Sequence, residues 1–483
     1  MQTLTYIAGR WQAAQDGRTF DVRNPADDSL IAPVADGGAA DARLAADAAA
    51  EALPAWKART ARERCLILKK WQALIERDVE PLAQLISREQ GKPVAEARGE
   101  IAYSAGYVEW FAEEGVRAHG EVIAAPDNGK RLMVLREAVG VVAVVTPWNV
   151  PAAMIARKIA PALAAGCTVV AKPAEDTPLT SLALVKLAEE AGVPPGVLNI
   201  VPASRERTPD VVGQWLADGR VRKISFTGST AVGKLLARES AATLKKLSLE
   251  LGGNAPFIVF EDADINAAVE GLMAAKFRNG GQTCVSPNRV YVHEAVHDRF
   301  VDKLAARVGA LKVGPADWAP AEIGPMINAR AVDKIERHVN DAIARGARAA
   351  VGGHRVRNEI ASGPNYYAPT VLTGATREME LSCEETFGPV VPVFRFASED
   401  EVIQQANDTP FGLAGYFYSN DVRRIWRVAC ALETGMVGIN EGAITAQAAP
   451  FGGVKESGYG REGSHWGLDE YLHTKYLCQG NLA

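Results

Sequence analysis

Residues 140–149 read GVVAVVTPWN, residues 167–175 read CTVVAKPAE, and residues 221–230 read VRKISFTGST; these three stretches decide the fold. Each carries a short strand-like run that ends in turn residues, and the unbroken apolar runs are typical of strands buried on both faces. Helix-like segments at 152–165 and 179–191 separate them. Strands that alternate with helices predict a parallel, doubly wound sheet. Ligands of such a sheet bind beyond the carboxyl ends of its strands, which is where TPWN, KPAE and TGST lie.

The second half of the chain repeats this alternation. Strand-like runs at 257–260 and 289–292 are each followed by helical segments, at 294–310 and 329–346. The pattern predicts a second α/β domain that starts near residue 253. A chain of 483 residues is long enough for two or three domains, at roughly 100–200 residues each.

The composition excludes several classes of protein. The net charge of −5 leaves no electrostatic footprint for nucleic acid or for an anionic membrane surface. Apolar runs such as 141–145 are far shorter than the ~20 residues of a membrane helix, and residues 1–12 lack a secretory signal. The six cysteines form neither a CxxC motif nor a Cys/His cluster with zinc spacing, so no metal is expected. These features predict a reduced, cytoplasmic protein with mostly buried thiols.

One cysteine lies in a segment unlike those of the other five. Residues 280–289 read GGQTCVSPNR, so Cys284 lies between a Gly-Gly pair and a Ser-Pro turn, which predicts an exposed loop. A free thiol has a pKa of about 8.5 and needs local tuning to act as a nucleophile. Taken alone, a cysteine is more often structural or inert than catalytic.

Three further segments each allow a functional and a plain structural interpretation. Glu250 begins ELGGNAP (250–256) and is either a general base or a solvated carboxylate at a helix end. Asn149 offers an amide donor suited to an oxyanion hole, or it is a turn residue before Pro151. Residues 226–234, FTGSTAVGK, open a helix after a strand, where backbone amides attract phosphate, yet they match neither GxGxxG nor a P-loop.

Taken together, these motifs resemble those of the aldehyde dehydrogenase superfamily. The resemblance also includes ETFGP at 385–389 and PFGGVKESG at 450–458, and it covers nearly all of the chain. It implies an α/β, aldehyde dehydrogenase-like fold with two Rossmann-like doubly wound parallel-sheet domains plus a small β oligomerisation domain. The implied division is an NAD-binding domain at 1–115 and 134–252, a catalytic domain at 253–452, and an oligomerisation domain at 116–133 and 467–483.

The resemblance implies a chemical role for each of three residues. Cys284 would be the nucleophile that attacks the aldehyde carbon. The Asn149 amide and the backbone N–H of Cys284 would hold the resulting oxyanion. Hydride would then leave for the nicotinamide, and Glu250 would activate the water that hydrolyses the thioester.

The resemblance also implies a dinucleotide cofactor. Its contacts carry over to ten residues, which are Thr146, Pro147, Trp148, Lys172, Glu175, Gly228, Ser229, Gly233, Glu385 and Phe387. The carboxylate of Glu175 accepts hydrogen bonds from ribose hydroxyls but repels a 2′-phosphate. NAD is therefore expected in preference to NADP.

Within the superfamily, the chain is most similar to NAD(P)-dependent succinate-semialdehyde dehydrogenases. Three segments carry this similarity: AAMIARK at 152–158, KFRN at 276–279 and KYLC at 475–478. Arg157 and Arg278 match positions that bind the substrate carboxylate there, as bidentate guanidinium forks can. Thr445 stands where the third contact is usually serine, which leaves the chain length of the substrate open.

The expected substrate is succinate semialdehyde or a close ω-carboxy semialdehyde, such as glutarate or 2-oxoglutarate semialdehyde. The alternatives are a broad-specificity aldehyde dehydrogenase, a CoA-acylating one, and a non-enzymatic binding protein. An acylating enzyme would not need Glu250, and a binding protein would have no reason to retain Cys284, Glu250 and Asn149 together. The resemblance further implies a homodimer or homotetramer, with no nucleic-acid or membrane partner.

Overall fold

The structure, a computed structural model, describes residues 1–482. Its helices are α1 (Ala39–Ala58), α2 (Ala61–Arg77), α3 (Val79–Gln90), α4 (Val94–Arg117), α5 (Pro151–Ala165), α6 (Pro178–Glu190), α7 (Thr208–Ala217), α8 (Thr230–Ser240), α9 (Ile265–Lys276), α10 (His297–Gly309), α11 (Ala329–Ala344), α12 (Glu380–Cys383), α13 (Glu399–Asn407), α14 (Val422–Ala431) and α15 (Ser464–Asp469). Its strands are β1 (Thr5–Ile7), β2 (Arg10–Gln12), β3 (Thr19–Arg23), β4 (Leu30–Ala35), β5 (Glu121–Ile123), β6 (Arg131–Ala138), β7 (Val141–Val145), β8 (Thr168–Lys172), β9 (Leu198–Ile200), β10 (Val221–Thr227), β11 (Lys246–Glu250), β12 (Ala255–Val259), β13 (Pro287–His293), β14 (Arg348–Val351), β15 (Thr370–Thr373), β16 (Val390–Phe396), β17 (Phe411–Gly412), β18 (Ala414–Tyr418), β19 (Met436–Ile439), β20 (Val454–Lys455), β21 (Gly458–Tyr459) and β22 (Leu472–Gln479).

An eight-stranded sheet is built around the strands that end in TPWN, KPAE and TGST. Its order is β2-β1-β9-β8-β7-β10-β11-β21, and the five strands from β9 to β11 run parallel. Val142 and Val144 of β7 belong to one hydrophobic cluster, whereas Val141, Ala143 and Val145 belong to another on the opposite face. Both faces are thus covered, and the strand order reverses at β7, where a ligand crevice is expected. The predicted parallel, doubly wound sheet is confirmed.

Helix α5 positions the loop that follows β7. It begins with Pro151, whose fixed φ suits the first turn, and it ends at Gly166, which has a left-handed φ of 95°. Every residue of α5 is buried. The loop that carries Asn149 is therefore held between a buried strand and a buried helix.

A seven-stranded sheet forms the second half of the molecule. Its order is β14-β15-β16-β13-β12-β18-β19, and all neighbouring pairs are parallel except β14 with β15. Its first strand in the chain, β12, begins at Ala255. The predicted second α/β unit is confirmed, and its boundary near residue 253 stays a prediction.

A three-stranded antiparallel sheet stands apart from the two large ones. The C-terminal strand β22 pairs along its whole length with β6, and β5 pairs with the other edge of β6. These strands lie in and beside the predicted oligomerisation segments, although β6 continues past residue 133, and Ala483 lies outside the described residues. Val122 and Tyr476 are among its exposed large side chains. The division into NAD-binding, catalytic and oligomerisation domains stays a prediction.

The prediction of mostly buried thiols was wrong for three cysteines. Cys65 and Cys167 are buried, but Cys383, Cys430 and Cys478 are exposed, and all six thiols are free. The exposed three lie on surface helices or on the outer strand β22. Within residues 1–482, no helix combines the length and the apolar character that crossing a membrane requires.

Candidate active site

A cavity of about 400 Å³ lies between helices α4 and α5 and the segments that carry Cys284 and Thr445. Five residues predicted for catalysis or substrate binding line this cavity: Asn149, Arg157, Arg278, Cys284 and Thr445. They come from segments nearly 300 residues apart in the sequence. Apolar side chains such as Met154 and Phe451, together with Tyr103 of α4, complete much of the wall.

Cys284 lies in a tight loop rather than in a strand. The loop follows the short 3-10 turn Arg278–Gly281, in which Asn279 and Gly280 adopt left-handed φ values of 53° and 61°. The thiol is half-buried, not in an exposed loop as predicted. Gly253 explains the difference, because a Cβ at that position would lie 2.5 Å from the Cys284 carbonyl oxygen. The glycine therefore lets two segments close over the cysteine.

The environment of Cys284 disfavours its thiolate. Burial raises the pKa of the thiol to about 12, and the charges of Glu385 and Glu250 act in the same direction. The Arg157 and Arg278 guanidinium groups lower it only in part. In this state the thiol is protonated at neutral pH, so ionisation needs a proton acceptor or a change in its surroundings.

Asn149 is fixed against the cysteine loop from two sides. Its Nδ2 donates to the Gln282 carbonyl at 3.0 Å, which leaves the second hydrogen of the amide available. The backbone carbonyl oxygen of Asn149 accepts from Lys92 Nζ at 3.0 Å and from Asn279 Nδ2 at 2.8 Å. Lys92 is in turn held by Glu100 at 2.5 Å. Asn149 does lie at a turn before Pro151, which is the plain structural interpretation of this residue. Its side chain, however, is directed to the cysteine loop.

Glu250 is the last residue of β11 and is almost completely buried. Neither carboxylate oxygen has a hydrogen-bond partner among the described residues. Burial raises the pKa of Glu250 well above its usual range, and the nearby Glu462 carboxylate raises it further. The interpretation as a solvated carboxylate at a helix end is therefore wrong. A buried, unbonded carboxylate favours the role of a proton acceptor.

Glu462 is a neighbour of the site that sequence reasoning missed. It forms ion pairs with Arg157 and Lys158, and all three side chains are buried. The Arg157 guanidinium also stacks on the Phe451 ring, 4.6 Å from the ring centroid. Lys158 is the last residue of the segment AAMIARK (152–158). No motif in the sequence points to Glu462, which lies about 300 residues further along the chain. The charge of Arg157 is thus already balanced, whereas Arg278 is exposed at the cavity.

Two predicted nicotinamide contacts lie beside the end of β7. The Phe387 ring stands edge-on to Trp148, with 5.5 Å between the ring centroids. Glu385 Oε1 accepts from the Gly253 N–H at 3.4 Å. Burial raises the pKa of Glu385 to about 7. The two segments that would hold the reactive end of a cofactor therefore touch the strand ends that carry Asn149 and Glu250.

The other predicted cofactor residues follow neighbouring strands. Lys172 Nζ lies 3.1 Å from Glu175 Oε2, and Thr146 N–H donates to the Lys172 carbonyl at 3.3 Å. Pro147 stands between Thr146 and Trp148 in the same loop. Ser229 caps α8 by accepting from Val232 N–H at 3.4 Å.

Two glycines shape the turn into α8. The N–H of Gly228 donates to the Glu250 carbonyl at 3.0 Å. At Gly233, a Cβ would lie 2.3 Å from Leu251 Cδ2, so the glycine lets α8 pack closely on the next strand. The open N-terminus of α8, the Trp148 and Phe387 rings and the Lys172–Glu175 pair lie along one edge of the sheet. This set suits the phosphates, ring and ribose of a dinucleotide.

Comparisons with known proteins agree with this geometry. Residues 11–477 match the sequence model described as "Aldehyde dehydrogenase family". The chain is 52% identical over 483 residues to the 3-sulfolactaldehyde dehydrogenase of Pseudomonas putida, covering 100% of this chain and 98% of that protein. It is 51% identical over 473 residues to a glutarate-semialdehyde dehydrogenase of Pseudomonas putida, covering 98% and 97%. The crystal structure of succinate-semialdehyde dehydrogenase from Burkholderia pseudomallei superposes with a TM-score of 0.97 at 54% identity, covering 99% and 98%.

Proposed function

Because the chain belongs to the aldehyde dehydrogenase family, we propose that it oxidises succinate semialdehyde, or a close ω-carboxy semialdehyde, with NAD. Its membership makes it an NAD(P)-dependent enzyme that oxidises aldehydes. The observation that supports the semialdehyde is the cavity that Cys284 shares with Arg157, Arg278 and Thr445. An aldehyde at Cys284 would have its ω-carboxylate within reach of cationic side chains.

The reaction begins at the Cys284 sulfur. The thiol first gives its proton to water, and the sulfur then attacks the aldehyde carbon; a C–S bond forms, the C=O π bond breaks, and the negative charge moves to oxygen. The free N–H of the Asn149 amide and the Cys284 backbone N–H stabilise that oxyanion. NAD, when bound, would supply the acceptor for the hydride that leaves the thiohemiacetal carbon as the thioester forms.

Glu250 serves the second half of the reaction. Its carboxylate takes a proton from water, the hydroxide oxygen bonds to the thioester carbon, and the C–S bond breaks to release the acid. The raised pKa of Glu250 suits a base that must accept this proton. The charges of Arg157 and Lys158 lower that pKa only in part, so the net shift stays upward.

The charge of the cavity favours an anionic substrate tail. Arg278 is exposed at the cavity. Arg157 also lines the cavity, although its guanidinium is already paired with Glu462. The cavity of about 400 Å³ is larger than a four-carbon semialdehyde with seven heavy atoms requires. Glutarate semialdehyde and other ω-anionic aldehydes of similar size are therefore the alternatives.

The test compares anionic and neutral aldehydes. We would measure kcat/KM with NAD for succinate semialdehyde, glutarate semialdehyde, 3-sulfolactaldehyde and butanal, on wild type and Arg278→Ala. We expect the anionic substrates to be preferred, and the variant to lose that preference by about tenfold or more, since a charge-assisted bond contributes roughly 1.5–3 kcal/mol. Arg238→Ala, an exposed position beside Glu239, is the matched control.

Equal rates for butanal and the anionic aldehydes would contradict the assignment of the substrate class. The protein would then be a broad-specificity aldehyde dehydrogenase. The roles of Cys284, Asn149 and Glu250 would be unaffected by that result.

A further inference from the structure

The segment 384–388, here called the cofactor loop, connects α12 to β16. It carries Glu385 and Phe387, the two residues proposed to contact the nicotinamide end of NAD. Phe387 has a left-handed φ of 56°, which is unusual for a bulky residue and costs free energy unless its surroundings impose it. The loop therefore depends on contacts with neighbouring elements for its shape.

One face of α11 supplies several of these contacts. Lys334 Nζ donates to the Glu385 carbonyl at 2.5 Å. Ile335 packs against Gly388, where a Cβ would lie 2.4 Å from Ile335 Cδ1. His338 is four residues after Lys334 and so lies on the same face of the helix.

His338 binds the loop on both sides of Glu385. Its side chain is completely buried, with Nδ1 at 3.1 Å from Thr386 Oγ1 and Nε2 at 3.3 Å from Glu384 Oε2. With the hydrogen on Nε2, the ring donates to the Glu384 carboxylate and Nδ1 accepts from the Thr386 hydroxyl; Arg337 Nη2 also lies 3.3 Å from Nε2. Burial and the charge of Lys334 lower the pKa of His338, which is consistent with this neutral form.

A second set of bonds holds the outer side of the loop. Thr386 N–H donates to Asn288 Oδ1 at 3.1 Å, and Asn288 Nδ2 donates to the Glu384 carbonyl at 3.0 Å. Arg337 lies 3.3 Å from the Glu384 carboxylate on the solvent side. These bonds anchor the backbone, but among the described residues His338 is the hydrogen-bond partner of the Thr386 hydroxyl.

We propose that His338 is a positioning residue for the cofactor, acting through Thr386 on the orientation of Glu385 and Phe387. The inference rests on the proposed cofactor role of those two residues. His338 itself lies behind the loop and touches neither the cavity nor Cys284. Loss of the His338 side chain would let the loop relax. The Kd of NADH would then rise more than the KM of the aldehyde.

The experiment uses NADH titrations followed by fluorescence on the intact enzyme. We expect His338→Leu and Thr386→Val each to raise the Kd of NADH about five- to tenfold, with the KM of the aldehyde changed less than twofold. Thr386→Ser keeps the hydroxyl and should bind NADH as wild type does. The double variant His338→Leu/Thr386→Val should bind NADH as weakly as His338→Leu alone, because Thr386→Val removes a bond that His338→Leu has already removed.

A matched control separates positioning from general stability. Val339→Ala removes buried volume from the same helix without touching the loop, so it should lower Tm and leave the Kd of NADH unchanged. The proposal is overturned if His338→Leu lowers Tm alone, or if its effect adds fully to that of Thr386→Val. A different result would show that Glu385 and Phe387 do not contact the cofactor at all. In that case Glu385→Gln and Phe387→Ala would also leave the Kd of NADH unchanged.

Discussion

In the proposed reaction, Cys284 and Glu250 share one physical problem, because each must become charged in surroundings that favour its neutral form. Neither residue has a cation that fully compensates for burial, since Arg157 is already paired with Glu462. Perturbed pKa values of this kind are typical of functional sites. The free enzyme should therefore be far less reactive toward thiol reagents than an ordinary cysteine.

The pH dependence of alkylation tests this. With the pKa of Cys284 raised to about 12, the thiolate fraction grows about tenfold for each pH unit between 7 and 9 and does not level off. Iodoacetamide labelling of Cys284 in the cofactor-free enzyme, followed by peptide mass spectrometry, should show that slope. The Cys284→Ser variant gives the labelling of the exposed cysteines alone, which is subtracted from that of the wild type. A labelling rate that reaches a plateau near pH 8.5 would mean that burial does not raise the pKa of this thiol.

Glu175 allows a second test on a single residue. Its carboxylate pairs with Lys172, so Glu175→Gln removes a negative charge and leaves the lysine free to bind a 2′-phosphate. We expect kcat/KM for NADP to rise about tenfold relative to that for NAD. Glu190→Gln, at the end of α6, is the control. An unchanged ratio would place the 2′ position of the ribose elsewhere.

The sequence marks the residues proposed to react, but not their surroundings. Cys284, Glu250 and Asn149 each lie in a short motif whose glycines or prolines are visible. The motif does not contain Glu462, and local spacing cannot place it beside Arg157. Burial of the Cys284 loop likewise depends on Gly253, a partner that only the folded chain brings close.

At the scale of elements, the parallel strands could be predicted well because their signal is local. β7 and β8 are largely apolar runs bounded by turn residues, and the predicted strands at 140–145 and 167–171 agree with the structure to within one residue at each end. The C-terminal strand β22 has a weaker alternation, because one of its faces is exposed. The turn Arg278–Gly281 could not be predicted, since its left-handed residues include Asn279, which carries no glycine signal.

Gly281 joins the cysteine loop to the cofactor loop and offers a test at this scale. It has a φ of 77°, and a Cβ would lie 2.3 Å from the Gly388 carbonyl oxygen. Gly281→Ala should cost about 2–4 kcal/mol of unfolding free energy, because both the backbone and the contact are strained. Urea unfolding measures this, and NAD affinity should fall with it.

The control for that variant is Gly219→Ala, where nothing lies within 4 Å and φ is not left-handed. It should change the unfolding free energy by less than about 1 kcal/mol. An equal loss in both variants would show that the two loops do not constrain each other.

For the whole molecule, the three-stranded sheet is the surface we propose for a homodimer or homotetramer. Tyr476 of β22 is 59% exposed in the single chain. A charge there would disrupt an apolar contact between subunits. Tyr476→Asp should reduce the mass measured by light scattering after gel filtration, without loss of helical circular dichroism. Val422→Asp, 78% exposed on α14, should keep the wild-type mass.

The pairing of β22 with β6 also sets an order of events on the ribosome. Leu472 faces Ala138, so β6 emerges more than 300 residues before the strand that completes it. At 5–20 residues per second, that interval is roughly 15 to 70 seconds. During synthesis β6 has a free edge, so nascent chains on one polysome can pair with each other there. Slower translation of the second half would lengthen this exposure, and a chaperone that covers strand edges would act on this nascent segment.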